Sequence, residues 1–452
     1  MISRRVESPI DAMTTHHPRD FSNESFEAFE ARLHAAGIGG DSLGWKLREM
    51  VFSALYHDPL TWQRVCAGRN ALYAIPGGWI AWLYSHHISQ RVSKRHVFPP
   101  PADHHFLCLS ARSNHIQRIA PEASARAAQG SCRIWAANAK TAKALRDAGA
   151  SHVSTIDLPW AAYLDPDSIA IARNETAAVI HSLPPVDRLA ASKLAISFAI
   201  YHAALRFWRE ALRGQPKSVL TTYEKDPVSK AMLAVAEEIG VPERVHWTHG
   251  LRHSSQRATI ANRLWCLTAA DARHFQPKVP PGCLATHRPS PESIHWLNTI
   301  GPLPPETLRN PATVHFLFLG SGFEPDCTNE MSLADLRVIA AARHALGSRV
   351  QWRFRPHPGN IQRLSDNLSK LGMHDIDFST RALAEDLAWS HAVGASFSSV
   401  AVDIEPTGRP VFWVQAEIRS LYSVDQMIAD GFGTHLDAAT ADAKIRETFH
   451  LE

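Results

Sequence analysis

Apolar positions along this chain change period near residue 98. From Phe26 to Ser93 they recur at helical intervals, with Phe26, Phe29 and Leu33 followed by Leu47, Val51, Phe52 and Leu55, which predicts a helical N-terminal region. Three prolines between Phe98 and Pro101 end it. Beyond them short apolar runs alternate with helical segments. Phe106–Leu109 and Cys132–Ala136 read as buried strands, and Lys140–Ala148 as the helix leading into a strand at Val153–Ile156. Such βαβ alternation predicts a parallel sheet. Ala190–Leu212, apolar on more than one face, predicts a long central helix. Lys217–Thr222 then reads as a strand, Pro227–Ile239 as a helix stopped by Gly240, and Val245–Thr248 as a strand running into His249-Gly250. Leu264–Thr268 adds one more strand to this first set.

The stretch Pro277–Pro311 is crowded with prolines and reads as an interdomain connection. A second βαβ series starts after it. Val314–Leu319 is a strand ending in Gly320-Ser321-Gly322, Ser332–Leu346 a helix, and Val350–Phe354 a strand that delivers Arg355-Pro-His357-Pro358. Leu383–Trp389 reads as a helix and Ala392–Ala395 as a short strand. Ser398 and Ser399 open another helix, and Pro410–Val414 closes the sheet. The expected organisation is a helical region over 1–97 and an acceptor-side α/β domain over 98–300. A donor-binding α/β domain over 301–452 follows, with a cleft between the two and a C-terminal tail that packs back on the first.

Composition narrows the class. Of the 452 residues 45% are hydrophobic and 20% charged, and 18 Phe, 13 Trp and 7 Tyr supply more burial than a disordered chain carries. Lys and Arg exceed Asp and Glu by 47 − 44 = +3, with no dense basic run, which argues against a nucleic-acid partner. The six cysteines (Cys66, Cys108, Cys132, Cys266, Cys283, Cys327) show no Cys-x-x-Cys pair and read as reduced, mostly buried thiols. The first twenty residues lack a signal-peptide apolar run, and Gly77–Tyr84 is too short to span a bilayer, so a cytoplasmic protein is expected. Early Lys and Arg residues leave peripheral association with the inner membrane face open, a solvated helix face being the ordinary role. Trp79, Trp82 and Tyr84 read as helix packing.

Candidate chemistry gathers at strand ends. In open parallel sheets ligands sit beyond the carboxyl ends of strands, where Gly320-Ser321-Gly322, Arg355, His357 and Ser398-Ser399 fall. Small residues admit a ligand to backbone amides, Arg and His bring charge or protons, and serines at a helix start bring hydroxyls. Together they suit a phosphate. Earlier in the chain Glu224-Lys225-Asp226 and Thr248-His249-Gly250 follow strands, and a carboxylate or imidazole there could take a proton from a hydroxyl. The Arg112–His115 segment reads as a polar strand-end loop. The 26 histidines show no helical metal spacing, and the two Asp-x-Asp pairs, Asp165-Pro-Asp167 in a turn and Asp375-Ile-Asp377, lie away from these loops. No metal and no cofactor is expected.

Ser398-Ser-Val-Ala-Val-Asp403-Ile-Glu405-Pro-Thr-Gly408-Arg-Pro410 resembles the Ser-Ser-Val, acidic, Gly/Asn-Arg-Pro segment of teichoic acid polymerases of the CDP-glycerol glycerophosphotransferase type. The His357-Pro358 and Ser398-Ser399 pairs also resemble those of bacterial sialyltransferases and capsule-building glycosyltransferases of GT-B fold. The resemblance covers roughly 217–414. It implies two Rossmann-like domains with the nucleotide donor on the C-terminal one: His357, Ser398 and Ser399 at its phosphate, and Asp403, in preference to Glu405, near the ribose. His249-Gly250 is similar to the His-Gly of the CDP-glycerol family, where a histidine acts as base. Glu224-Lys-Asp226-Pro has the acids of the sialyltransferases but not their order, so His249, Glu224 and Asp226 all stand as candidate bases. The implied activity is an inverting, metal-independent glycosyltransferase using a nucleotide sugar, CMP-linked sialic acid or Kdo, and a surface glycan or lipid-linked acceptor. A CDP-polyol phosphotransferase, a nucleotide-sugar 2-epimerase and a non-catalytic nucleotide-binding protein are the alternatives.

Overall fold

The computed structural model describes residues 26–39, 42–56, 98–156, 162–181, 188–248, 250–252, 257–258, 260–320, 329–357, 361–417 and 424–451. Trp79, Trp82, Tyr84, His249, Ser321, Gly322, Pro358, Cys66 and Cys327 lie outside the described residues. The chain divides into two compact units: 1–247 with 255–264 and 279–284, and 248–254 with 265–278 and 285–452.

At the N-terminus α1 (Phe26–Ala35), α2 (Leu43–Lys46) and α3 (Arg48–Tyr56) form the expected helices, with Phe26, Phe29 and Leu33 all buried on one face. The first sheet holds β1 (His104–Cys108), β2 (Cys132–Ala136), β3 (Val153–Thr155), β4 (Ser218–Thr221), β5 (Glu243–Trp247), β6 (Arg263–Cys266) and β7 (Leu284–His287), in the order β3-β2-β1-β4-β5-β6-β7. From β3 to β5 every pairing is parallel. The intervening helices are α4 (Ser113–Ala127), α5 (Ala139–Asp147), α6 (Pro166–His181), α7 (Arg188–Ala211), α8 (Pro227–Glu238), α9 (Ala269–Phe275) and α10 (Pro291–Ile300). On α7, Phe207 and Trp208 meet the Trp135 ring edge to face, filling the layer beneath β2 with aromatic volume.

Asp165-Pro-Asp167 has the structural role expected of it: Pro166 opens α6, and the Asp165 carboxylate accepts the Ser168 N–H at 2.8 Å as its cap. One expectation needs correction: the proline-rich stretch is more than a connection, since β7 and α10 lie within it. Pro291 occupies the first turn of α10, where a missing N–H costs nothing, and Ser290 caps that helix.

The second sheet holds β8 (Val314–Leu319), β9 (Val350–Arg355), β10 (Asp377–Phe378), β11 (Ala392–Ala395), β12 (Val411–Val414) and β13 (Thr434–Leu436), all parallel, in the order β10-β9-β8-β11-β12-β13. Helices α11 (Asn329–Leu346), α12 (Ile361–Lys370), α13 (Leu383–Trp389), α14 (Ser399–Asp403), α15 (Val424–Ala429) and α16 (Ala441–Phe449) complete it. β12 does not close the sheet, because β13 pairs outside it, Phe412 opposite Thr434. Ile445 and Phe449 of α16 are buried in the same core as Phe316 and Phe354. Both units are thus Rossmann-like α/β layers, the GT-B-like class.

Candidate functional site

In the second sheet the chain runs β8 to β9 to β10 in one direction and then β11 to β12 to β13 in the other. The order reverses between β8 and β11, the position at whose carboxyl ends open α/β sheets of this kind hold ligands. Ala395 pairs with Leu319, and Leu319 with Arg355, so Gly320, Ser396 and Pro356 leave three adjacent strands at one level. The Gly320 N–H donates to the Arg355 carbonyl at 2.8 Å, and a Cβ on Gly320 would lie 3.3 Å from that oxygen and 3.1 Å from Leu364. A residue without a side chain suits this close approach of the two loops.

Arg355 is held in place. Its Nη1 donates to Asp386 Oδ2 and to the Arg381 carbonyl, both at 2.7 Å, while the side chain stays 24% exposed. Asp386 is wholly buried and also takes Arg353 Nη1 at 3.2 Å and the Ser379 hydroxyl at 2.7 Å. A guanidinium fixed on one edge and open on the other is a preoriented donor for an anion. Half-buried His357 follows; desolvation lowers its pKa, favouring the neutral imidazole. Ser398 caps α14 with extended backbone (φ −148°), and its side chain makes no cap hydrogen bond. Since α14 is only five residues long, hydroxyls and amides rather than a helix macrodipole would meet a phosphate here.

The two acidic residues of the same segment differ. Asp403 is 5% exposed and accepts the Ser290 hydroxyl at 2.6 Å, so the fold uses it to tie α14 to the cap of α10. Glu405 opens a one-turn 3-10 helix and keeps partial exposure. Arg409 of the Gly-Arg-Pro segment is buried, donating to the carbonyls of Ser390 at 3.0 Å and Gly301 at 3.2 Å.

The first sheet has its own reversal, between β1 and β4, with Leu107 opposite Thr221. The loops that leave there are Leu109–Arg112 and Thr222–Asp226, and His115 Nδ1, in the first turn of α4, meets Thr222 Oγ1 at 2.6 Å. Burial, with Arg118 and Arg112 nearby, holds the His115 imidazole neutral down to about 3.

Glu224 and Asp226 occupy unlike surroundings two residues apart. Glu224 has no exposure; its Oε1 accepts Lys230 Nζ and the Ile260 N–H, each at 3.0 Å, and its Oε2 lies 3.1 Å from His246 Nδ1. Lys230, equally buried, also reaches Glu49 Oε2 of α3 at 3.0 Å, and Glu49 accepts the Arg257 N–H. Asp226 caps α8 through the Val228 N–H at 2.8 Å and retains partial exposure, yet burial pushes its carboxyl up to about 6. That basicity suits proton transfer near neutrality. Sequence reasoning missed Lys230, Glu49 and Asp386; a lysine among Val228, Ala231, Met232 and Val235 was the one available signal.

Among the described residues no group of three His, Cys, Asp or Glu side chains is placed to hold a metal ion, and no helix is long and apolar enough to cross a membrane. No protein-family model matches the chain, and no curated protein matches it. Solved structures do match. A putative UDP-N-acetylglucosamine 2-epimerase from Listeria monocytogenes aligns with TM-score 0.46 and 12% identity over 78% of this chain and 89% of its own. The UDP-GlcNAc 2-epimerase from Neisseria meningitidis bound to UDP-GlcNAc gives 0.45 and 10% over 76% and 90%. The calicheamicin glycosyltransferase CalG4 gives 0.42 and 14% over 77% and 89%. The two-unit α/β fold stands on the strand orders given above.

Proposed function

We propose that the protein is an inverting, metal-independent glycosyltransferase that moves a sugar from a nucleotide donor to a hydroxyl of a glycan or lipid-linked acceptor. The observation that carries this reading is the pairing of a preoriented Arg355, His357 and the Ser398-Ser399 start at the second unit's strand reversal, a set suited to a phosphate. There Gly320, Arg355, His357, Ser398 and Ser399 bind the donor phosphate, with Ser321 and Gly322 assigned from sequence. Glu405, the more exposed of the acidic pair, faces the ribose more readily than Asp403. The acceptor oxygen attacks the anomeric carbon as the bond to the phosphate oxygen breaks. The electron pair leaves on the phosphate, where Arg355 stabilises it. Asp226 of the first unit takes the acceptor proton. His249 remains the other candidate base, while Glu224 is engaged by Lys230 and supports the loop.

A cytidine donor, CMP-linked sialic acid or Kdo, follows from the His-Pro and Ser-Ser resemblance and from a compact anion site that needs to hold only one phosphate. Thermal-shift titration with CMP, CDP, UDP and GDP tests it, because a ligand at about 100 times its dissociation constant adds about 2.7 kcal/mol of stability. A shift with UDP and none with CMP or CDP would overturn the cytidine assignment. Loss of the shift in His357→Ala, with folding retained, supports the phosphate site. Activity lost to a chelator and restored by Mn²⁺ contradicts metal independence. Turnover of a nucleotide sugar without any acceptor identifies an epimerase, and product from CDP-glycerol a phosphotransferase.

A further inference from the structure

The apolar run of β12, Val411-Phe-Trp-Val414, ends in Gln415, and Gln415 is wholly buried. A buried primary amide costs free energy unless its polar atoms find partners, so the partner it finds is informative. Its Nε2 donates to the carbonyl of Ser396 at 2.8 Å, and Ser396, also buried, is the first residue beyond β11. Ala395 pairs with Trp413, so the chain leaves β11 and β12 side by side and the amide bridges the two exits. The bridge is well mounted. The Gln415 carbonyl accepts His435 Nε2–H from β13 at 2.8 Å, and the N–H of Ala416 donates to the buried carboxylate of Asp335, on α11, at 3.0 Å. At the other end the loop runs from Ser396 to Ser399, where α14 begins with Ser398 extended and no side-chain cap hydrogen bond. A serine that caps its own helix spends its oxygen on a backbone N–H. Here Ser398 does not, and the loop is tethered from the neighbouring strand through a carbonyl, a group that repels an anion and so is no loss to a phosphate site.

We infer that Gln415 is a positioning residue for the donor phosphate. By holding the Ser396 carbonyl it fixes the Ser396–Ser399 loop and leaves the Ser398 and Ser399 hydroxyls to the ligand. The inference rests on the reading that this loop meets the donor phosphate; Gln415 acts through Ser396 and needs no contact with the nucleotide. Its loss should therefore weaken the grip on phosphate and spare the grip on the nucleoside, whereas a merely structural amide would affect both alike or neither.

The test is calorimetric titration of the full-length protein with CMP and cytidine and with UMP and uridine, the nucleosides taken to millimolar concentration. The ratio of nucleotide to nucleoside affinity reads the phosphate contacts alone. Unmodified protein is compared with Gln415→Met, close in shape but without a donor, with Gln415→Glu, and with Arg355→Gln as a control for lost phosphate contact. The expected result is a ratio lowered about tenfold in Gln415→Met, with nucleoside affinity unchanged, the effect of one lost buried hydrogen bond. Gln415→Glu, whose carboxylate oxygen faces the Ser396 carbonyl, should lower it at least as far and serves alone if the Met variant does not fold. An unchanged ratio in Gln415→Met beside a lowered one in Arg355→Gln overturns the inference and leaves the phosphate reading standing. Equal loss of nucleotide and nucleoside overturns it in the same way, as does failure of both variants to fold, since the amide is then structural. If the unmodified protein binds no nucleotide, or Arg355→Gln leaves the ratio unchanged, the donor-site reading fails and the role of Gln415 falls with it.

Discussion

Lys230 turns an ammonium from α8 into an interior that Val228, Ala231, Met232 and Val235 otherwise keep apolar, and Glu224 and Glu49 answer it there. Removing one partner of a buried pair leaves charge uncompensated. Glu224→Gln should therefore destabilise the protein by about 3 kcal/mol in urea unfolding while leaving nucleotide affinity unchanged. Asp226→Asn should behave in the opposite way. Asn caps a helix as well as Asp does, and the change removes a carboxylate whose pKa burial has raised, so melting temperature at pH 8 should rise slightly while transfer falls at least about a hundredfold. In the unmodified protein the proposed transfer should speed up as pH rises through about 6, where Asp226 loses its proton. Both carboxylates follow the same strand, and local pattern could not separate them. What separates them is Glu49, 181 positions from Lys230 in the chain.

At the scale of elements, the strands were legible where short, mostly apolar runs mark sheets buried on both faces, as in β8, β11 and β12. β13, Thr434-His-Leu436, has no such run; pairing with β12 makes it a strand. Proline content concealed α10 because proline marks a helix start as readily as a linker. The donor-side loops could be read because they are strand ends, whereas the internal use of Asp403 depends on Ser290 arriving from a helix that was not foreseen. β11 also carries a sharp packing demand: a Cβ on Gly394 would lie 2.5 Å from the Phe316 ring. Gly394→Ala should cost about 1–3 kcal/mol by overpacking and also weaken nucleotide binding, since the same strand carries Ser396–Ser399; unfolding and titration of one sample check both.

Across the whole molecule, buried histidines set the acid limit. His105, whose Nδ1 accepts the Trp135 indole N–H at 2.9 Å, is held neutral to about 4 by burial, and His115 to about 3. Their folded pKa values lie below the unfolded value of 6.5, so the unfolded chain binds more protons and stability falls as pH drops from 6.5 towards 4. Asp226 works against them: its folded pKa, about 6, lies above 3.8, so the folded chain takes up a proton in that window. Asp226→Asn should consequently steepen the loss between pH 6 and 4 by about 1.4 kcal/mol per pH unit, measurable as urea midpoints across a pH series. The order of synthesis is constrained as well. The first unit takes 255–264 and 279–284 from beyond its main segment, and Ile260 and Arg257 supply the N–H groups that Glu224 and Glu49 accept. A nascent chain emerging from the ribosome at about 5–20 residues per second therefore waits with Glu224 and Glu49 matched only by Lys230, short of their backbone donors, until residue 260 is clear of the exit tunnel. A truncated gene ending after β5 would encode the whole lysine–glutamate cluster and still lack the backbone that completes it.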